Sequence, residues 1–239
     1  MRVAIVSDIH GNRTAFDAVL ADLRQTAPDL VLHGGDLADG GSSPVHIVDR
    51  IRDLGWDGVA GNTDEMLFRP ESLTEFAKQA PQLQGLFTLV GEMAEAACEA
   101  LGPERLAWLR ELPRRHMTED LALVHASPEN LWRAPAHTAS DADLQSAYAS
   151  LGRPVAVYGH IHRPYVRVMP GLTVANSGSV GLSHDGDPRA AYLLIDGLEA
   201  TIRRVEYQVD REIQNLRDSG MPHAEWVAKC LKQGIFKMP

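Results

Sequence analysis

The segment Arg2-Val-Ala-Ile-Val-Ser-Asp8-Ile-His10 decides how the fold begins, because a short apolar run ends directly on a carboxylate and an imidazole. Short runs rich in β-branched residues are typical of buried strands. Asn12 follows at once and can cap a helix that we expect to extend to about Gln25. The start of the chain therefore predicts a strand, a turn with two candidate metal ligands, and a helix.

Four further apolar runs end in the same way, on residues that can bind a metal ion. Residues 30–35 lead into Asp36, 58–61 into Asn62, 121–124 into His125, and 155–159 into His160 and His162. In open α/β sheets, ligands bind beyond the carboxyl ends of the strands. If the five strands lie in one sheet, they deliver seven oxygen and nitrogen donors to one edge, which is enough for two metal ions.

The first half of the chain alternates strand and helix patterns. A second helix begins after Ser42 or Ser43, with Pro44 in its first turn, and the turn at 55–58 leads into a third strand. This βαβαβ order predicts an α/β protein with a largely parallel start.

The later part of the chain follows a different pattern. Closely spaced strand patterns joined by tight turns predict an antiparallel second sheet, and two helices finish the chain. The expected strands are 165–169, 172–175, 190–195 and 200–207, and the expected helices are 210–217 and 224–231.

An insertion at about 65–115 separates Asn62 from His125 and has helical patterns, the clearest at 83–101 and 103–112. Two compatible interpretations stay open: a layer that covers the core, and a cap that shapes a pocket over the site. Without repeats, low-complexity segments or linkers, residues 1–239 are expected to form a single domain.

Composition excludes several classes of protein. The chain has 239 residues and a net charge of −9, with no block of Lys and Arg, so we expect no extended nucleic-acid surface. No stretch approaches the roughly 18 apolar residues of a membrane span, and the first residues form a strand and no signal peptide. We therefore expect a cytoplasmic protein without a membrane partner. Cys98 and Cys230 are too few for a disulfide scaffold or a cysteine zinc site.

The spacing of the donors suits metal binding. In an extended segment residues i and i+2 point to the same side, so Asp8 and His10 can face one ion. His160 and His162 have the same spacing, and each ring can reach a different ion. Asp36 follows two glycines and can approach two cations at once. Mixed nitrogen and oxygen donors without a thiolate suit Mn, Fe, Zn, Ni or Co. Each motif alone is weak, and the prediction depends on their order at strand ends.

Five motifs together resemble the calcineurin-like metallophosphoesterase superfamily. They are Ser7-Asp8-Ile9-His10-Gly11-Asn12, Gly35-Asp36, Gly61-Asn62-Thr63-Asp64, Val124-His125-Ala126-Ser127-Pro128 and Gly159-His160-Ile161-His162-Arg163-Pro164. The resemblance covers essentially the whole chain, and the segments 176–181 and 185–190 resemble the small bacterial phosphodiesterase branch. It implies a four-layer αββα sandwich of two mixed sheets flanked by helices, with a dinuclear metal site at the carboxyl edge of the strands.

The resemblance also implies a role for each motif residue. Asp8, His10 and His162 would hold the first ion, Asn62, His125 and His160 the second, and Asp36 would bridge them. Two divalent ions are implied, manganese first and Fe, Zn, Ni or Co as alternatives, with a metal-bridging hydroxide that attacks phosphorus. Among these residues, Asp36, Asn62 and His125 are the candidate catalytic residues.

One position departs from the family pattern. Many members carry a histidine after the motif asparagine, which is thought to protonate the leaving group, and here the residue is Thr63. A hydroxyl with a high pKa is a poor general acid near neutral pH. We therefore expect phosphodiesters or phosphoanhydrides with good leaving groups, or an acid from elsewhere. Asp64 is expected to orient a ligand or the loop.

The sequence suggests a role for two arginines and leaves two interpretations open for each of two histidines. Arg13 is the candidate substrate-binding residue, because it opens a helix whose N-terminus can face an anion, and Arg163 is a second candidate. His33 is either a partner of a ligand or a buried core histidine, and His184 either reaches the substrate or only packs.

The sequence therefore predicts a metal-dependent phosphoesterase for a small phosphorylated substrate, which includes nucleotides, most simply a phosphodiesterase. A nucleotide pyrophosphohydrolase, a phosphomonoesterase or a protein phosphatase stays open. So does a protein-binding scaffold with a silent site. The native substrate, the metal and the oligomeric state do not follow from the sequence.

Overall fold

The computed structural model describes all 239 residues. The ten strands are β1 (Arg2–Val6), β2 (Leu30–His33), β3 (Asp57–Gly58), β4 (Arg115–Met117), β5 (Leu121–Val124), β6 (Val155–Tyr158), β7 (Tyr165–Met169), β8 (Leu172–Asn176), β9 (Ala190–Asp196) and β10 (Glu199–Val205). The eight α-helices are α1 (Arg13–Thr26), α2 (Pro44–Leu54), α3 (Asn62–Phe68), α4 (Glu71–Ala77), α5 (Gln84–Arg110), α6 (Asp141–Tyr148), α7 (Val209–Asp218) and α8 (Ala224–Gln233).

The strands form two mixed sheets of five strands each. The first sheet has the order β10-β9-β1-β2-β3, in which β1, β2 and β3 are parallel and β9 and β10 are antiparallel additions. The second sheet has the order β4-β5-β6-β8-β7, in which β5, β6 and β8 are parallel and the two edge strands are antiparallel.

One condition and one expectation about the sheets are not met. The five strands that end on candidate ligands do not share one sheet, since β1, β2 and β3 lie in the first sheet and β5 and β6 in the second. The last four strands form two hairpins, as their turns predict, but β9–β10 extends the first sheet and β7–β8 extends the second. Turn residues specify a hairpin, and they carry no information about which sheet edge it joins.

Buried side chains place the sheets face to face with helices outside. Val3 and Ile5 of β1 pack with Leu123 of β5 and Val157 of β6 in a cluster between the two sheets. A second cluster fills the space between the first sheet and α1, α2 and α5, and a third lies between the second sheet and α6. The result is the αββα layering expected from the sequence.

The helix boundaries follow local sequence signals. Asn12 caps α1 by accepting a hydrogen bond from the backbone N–H of Ala15 at 2.9 Å, and Pro44 begins α2. The two helical patterns at 83–101 and 103–112 form one helix, α5, with a break at Gly102, where φ is +69°. None of the helices combines the length and the apolar character that crossing a membrane would require.

Candidate metal centre

The carboxyl ends of strands from both sheets meet at one edge of the molecule, and four side chains converge there. Nε2 of His10 lies 3.2 Å from Nε2 of His162, which in turn lies 3.1 Å from Oδ1 of Asp8. Oδ2 of Asp36 is 3.7 Å from Nε2 of His10. The donor atoms of these four buried residues all lie within 4.8 Å of one another. This spacing is compatible with a single ion among them.

The remaining three candidate ligands form a second group on the other side of Asp36. Oδ1 of Asn62 lies 3.0 Å from Nε2 of His125 and 2.8 Å from Nδ1 of His160. Nε2 of His125 is also 3.4 Å from Oδ2 of Asp36. The structure therefore brings together all seven side chains selected from the sequence, and Asp36 stands between the two groups.

Five of the seven residues reach this position through left-handed backbone. The φ angles are +55° at Asp8, +49° at His10, +53° at Asp36, +65° at His160 and +55° at His162. Residues other than glycine seldom adopt this conformation, and such strain concentrates at functional sites. Asp8 and His10 therefore reach the same donor group, and His160 and His162 reach different groups, as expected, but the expected extended backbone is wrong. Sharp turns after each strand aim these side chains.

Glycines make room for the two carboxylates. A Cβ atom on Gly61 would lie 2.0 Å from Oδ1 of Asp36, and one on Gly159 would lie 2.3 Å from Oδ2 of Asp8. No real side chain tolerates such distances, so only glycine lets each carboxylate enter the site.

Backbone carbonyl groups fix which ring nitrogen of three histidines faces the centre. Nδ1 of His10 contacts the carbonyl oxygen of Asp39 at 2.8 Å, and Nδ1 of His125 contacts that of Gly34 at 2.8 Å. Nδ1 of His162 contacts the carbonyl oxygen of Leu182. Since a carbonyl only accepts, each Nδ1 must donate, and the neutral ring then presents the lone pair of Nε2 to the site.

These contacts leave the Nε2 atoms and carboxylate oxygens of the site facing one another without hydrogen atoms between them. The lone pairs of His10 and His162 point at each other and at the carboxylate of Asp8, an arrangement that a cation stabilises and that is unfavourable without one. Neither cysteine belongs to the group, so the donor set is nitrogen and oxygen only. The residues therefore fit divalent ions of the Mn, Fe, Zn, Ni and Co type.

Asp36 and His125 also polarise each other. Burial raises the pKa of Asp36, but the charge and hydrogen bond of His125 outweigh it and hold that pKa far below its usual range. Burial lowers the pKa of His125, but the Asp36 carboxylate raises it to about 10. The Asp36 carboxylate thus favours a positive charge at the position that Nε2 of His125 faces.

Comparison with known proteins agrees with this geometry. The profile of the calcineurin-like phosphoesterase superfamily domain matches residues 1–198. The chain belongs to this superfamily.

Relatives resemble this superfamily member over nearly its full length. An uncharacterized protein of Methanocaldococcus jannaschii is 27% identical, over 97% of this chain and 98% of that protein. The crystal structure of a metallophosphoesterase from Sphaerobacter thermophilus superposes with a TM-score of 0.79 at 26% identity, over 98% of this chain and all of the other. A hypothetical protein of Pyrococcus horikoshii has a similar fold, with a TM-score of 0.84 at 18% identity over 99% of both chains.

Asp64, next in the motif, holds the loops of this superfamily site from behind. Its buried carboxylate accepts hydrogen bonds from the backbone N–H groups of Asp36 at 2.8 Å, Leu37 at 2.9 Å and Gly61 at 2.9 Å. The carboxylate therefore joins the turn that carries Asp36 to the turn that precedes Asn62. This is the orienting role inferred from the sequence.

Thr63 contributes backbone and no acid to the site. Its N–H donates to Oδ1 of Asp36 at 2.9 Å, and its buried hydroxyl oxygen has no hydrogen-bond partner. Asp36 thus receives a hydrogen bond at the position where many superfamily members carry histidine.

The two arginines singled out in the sequence do not line the cavity above the centre. Arg13 is half exposed on α1, its guanidinium lies 3.4 Å from the carboxylate of Asp17, and it borders a different surface depression. No contact here supports its expected role in substrate binding, which stays a prediction. Arg163 is likewise absent from the cavity wall.

Three other polar residues occupy different positions relative to the cavity. His33 is a buried core histidine without a hydrogen-bond partner for either ring nitrogen. His184 does reach the cavity, where its ring stacks on that of His162 with centroids 4.2 Å apart. Sequence reasoning missed Asp39, which also lines the cavity and is buried; burial first, and then the charges of Asp36 and Asp64, raise its pKa to about 8. No periodic signal distinguishes Asp39 from an ordinary loop aspartate.

Proposed function

We propose that the protein is a hydrolase for phosphodiester or phosphoanhydride bonds that works with two divalent metal ions, manganese first among them. The observation that carries this proposal is the position of Asp36. Its carboxylate lies within 3.7 Å of His10 in one donor group and 3.4 Å of His125 in the other. A single carboxylate shared by two donor groups is what a pair of neighbouring ions requires.

Each donor group would hold one ion. Asp8, His10 and His162 would bind the first, Asn62, His125 and His160 the second, and Asp36 both. When bound, the pair of ions would polarise the phosphoryl oxygens and lower the pKa of water enough to supply a nucleophile near neutral pH.

The protein's own residues set the charge of the site. Among the seven donors only Asp8 and Asp36 are negative, so they offset half of the charge that two divalent ions bring. The local surplus is positive and attracts phosphate, although the net charge of the chain is −9. Asn62 supports this surplus because its amide oxygen is a neutral ligand.

The requirement for a good leaving group restricts the classes of phosphate ester that the protein can cleave. Since Thr63 supplies no acid, leaving groups that depart without a proton are favoured: phenolates, nucleotides and phosphates. An alkyl phosphomonoester needs protonation of its alkoxide and is a poorer substrate. The cytoplasmic location of the protein remains a prediction.

Metal analysis and a chromogenic assay test the proposal together. Protein purified without chelator should contain divalent metal and hydrolyse bis(4-nitrophenyl) phosphate. Chelation should abolish the activity, and Mn²⁺ should restore it. Protein that binds no divalent ion, or that binds metal and hydrolyses neither diesters nor anhydrides, would overturn the proposal in favour of a scaffold role.

A further inference from the structure

The cavity above the metal centre has two different halves. It has a volume of about 310 Å³, and candidate ligands, among them Asp36, His160 and His162, form its polar end. Twelve of the 21 residues that line it are hydrophobic, so the rest of the wall is mostly apolar. We refer to this apolar half as the chamber.

Aromatic side chains form one side of the chamber. The ring of Phe76 on α4 lies 5.9 Å from that of Phe87 on α5, edge to face, and 5.0 Å from that of Trp132. The indole N–H of Trp132 donates to Glu65 at 2.7 Å. Its polar group is therefore satisfied outside the cavity, and Trp132 contributes only apolar surface.

The C-terminal segment forms the opposite side. Trp226 on α8 packs edge to face on Phe236 at 5.8 Å, and its indole N–H donates to the carbonyl of Lys237 at 2.7 Å. Phe236 contacts the ring of His184 at 5.5 Å, and His184 stacks on the ligand histidine His162. A continuous row of rings thus leads from the metal centre into the chamber.

The chamber has no positively charged side chain that could bind a second anionic group of a substrate. None of the residues that line the cavity is a lysine or an arginine, and its carboxylates, Asp36 and Asp39, are at or near the metal centre. A phosphate or carboxylate in the chamber would lose its hydration without gaining a partner, which is costly. An uncharged ring or hydrocarbon chain would instead bury its surface favourably.

We propose that the substrate has one phosphoryl group at the metal centre and an uncharged apolar organic group, aromatic or a short hydrocarbon chain, in the chamber. This inference rests on the proposed hydrolase function and narrows it. A volume of about 310 Å³ is at the small end of ligand pockets, which hold roughly 300–1,000 Å³. The cavity is large enough for one such group beside a phosphoryl group at the metal centre.

The chamber is formed by segments that lie outside the superfamily motifs. Leu86, Phe87, Val90 and Met93 of α5 belong to the insertion between Asn62 and His125. Trp226 and Phe236 lie beyond residue 198, where the superfamily profile ends. The superfamily motifs specify the metal centre, and these other segments select the organic group.

Two diesters with the same leaving group test the selection. 4-Nitro-2-sulfophenyl 2-phenylethyl phosphate and 4-nitro-2-sulfophenyl 2,3-dihydroxypropyl phosphate both release the same chromogenic phenolate, whose sulfonate is unfavourable in a chamber without cations, and differ only in the group that the chamber would hold. With Mn²⁺, kcat/KM should be at least about 10-fold higher for the phenylethyl ester. If both esters are hydrolysed with equal kcat/KM, or the dihydroxypropyl ester is preferred, the chamber proposal is wrong while the hydrolase proposal stands.

A charge placed in the wall provides the second test. Leu86 is half-buried on α5, so a lysine there can extend toward solvent and is compatible with folding. Leu86→Lys should lower kcat/KM for the phenylethyl ester about 10-fold and so remove most of the preference. Val168→Lys adds the same charge at a side chain that is 76% exposed on β7, and should change neither ester. Equal effects of the two variants would contradict the proposal.

A binding measurement keeps the two proposals separable. Calorimetric titration of the Mn²⁺-loaded protein should show tighter binding of 2-phenylethylphosphonate than of 2-hydroxyethylphosphonate, with a more negative heat-capacity change from apolar burial. If neither diester is hydrolysed, the assay with bis(4-nitrophenyl) phosphate decides the hydrolase proposal, and the titration alone decides the chamber proposal. Equal affinities would then overturn the chamber as well.

Discussion

Oδ2 of Asp36 lies 3.4 Å from Nε2 of His125, although Asp36 follows a strand of the first sheet and His125 follows a strand of the second. The pair spans the seam between two sheets whose strands are not hydrogen-bonded to each other. A shared cation is the interaction that such a pair supports best, since both side chains are buried and each presents a donor atom.

Asp36→Asn tests this pair. The amide has nearly the same shape, and its oxygen can still accept the hydrogen bond from Thr63, so the fold should persist. Loss of the shared negative charge should reduce bound metal and lower the rate on bis(4-nitrophenyl) phosphate by on the order of 100-fold or more. Metal analysis and initial rates measure both effects. Asp17→Asn removes an exposed carboxylate on α1 and should leave both values unchanged.

Gly159→Ala tests the need for close approach beneath Asp8. The new methyl group would meet Oδ2 of Asp8 at 2.3 Å and Oγ of Ser7 at 2.4 Å. We expect the free energy of unfolding to fall by roughly 1–3 kcal/mol and metal affinity to fall with it, because Asp8 must move. Urea unfolding with and without Mn²⁺ measures both changes.

Gly85 provides the matched control for that experiment. It lies on α5, and a Cβ atom there would have no neighbour within 4 Å. Gly85→Ala should leave metal binding intact and keep or raise stability, by up to about 1 kcal/mol. If Gly159→Ala behaves like Gly85→Ala, the packing beneath Asp8 is looser than the structure indicates.

His33 predicts a pH dependence of stability. Burial, and then the charge of His116, lower its pKa from 6.5 to about 3, so the folded chain keeps this ring neutral while the unfolded chain protonates it below pH 6.5. Stability is therefore lost as the pH falls from 6.5 toward 3. His33→Leu removes this loss and should unfold less readily in acid, with a relative gain of roughly 2 kcal/mol at pH 5 over pH 8.

Urea unfolding between pH 8 and pH 5 checks that gain, with a chelator in every sample so that metal release does not contribute. His137→Leu replaces an exposed histidine and should show no such pH-dependent gain. A constant difference between His33→Leu and the parent chain across this range would mean that His33 is not the group responsible.

The sequence predicted where the site lies better than it predicted the sheets and the backbone conformations that form the site. Apolar runs that end on donors place seven side chains at strand ends, and the structure brings all seven together. The partition of the strands between two sheets did not follow, because the turn between β9 and β10 specifies only their hairpin and not the sheet edge that the hairpin joins. Nor did the left-handed backbone of Asp8, His10 and Asp36, since residue type alone argues against it.

Residues 65–115 both cover the core and line the cavity, so the two interpretations left open for this insertion agree with the structure, but the part that the C-terminal segment takes in the chamber did not follow from the sequence. Phe87 and Trp226 are more than one hundred residues apart, and no sequence motif links them. Both face one cavity because α5 and α8 pack together through a cluster that contains Met93 and Val227. Such long-range packing leaves no local pattern in a single sequence, whereas a ligand at the end of a strand does.

Thr63→His tests why this chain should prefer good leaving groups. Thr63 lines the cavity beside Asp36, so an imidazole there can reach a leaving-group oxygen. We expect the variant to hydrolyse diesters with alkoxide leaving groups at least about 10-fold faster, because general acid catalysis contributes roughly 10²–10⁴-fold where it is well placed. For 4-nitrophenyl esters the rate should hardly change, since 4-nitrophenolate departs without a proton.

The pH profile separates proton donation from mere packing. The gain of Thr63→His should decline as the pH rises and the imidazole loses its proton. Thr63→Asn introduces a polar side chain without an acid and should give no gain at any pH. If Thr63→His leaves alkoxide esters as slow as before while metal content is unchanged, the acid comes from elsewhere in the cavity. Asp39, which is buried there and whose pKa is raised to about 8 by burial and by the charges of Asp36 and Asp64, would be the next residue to replace.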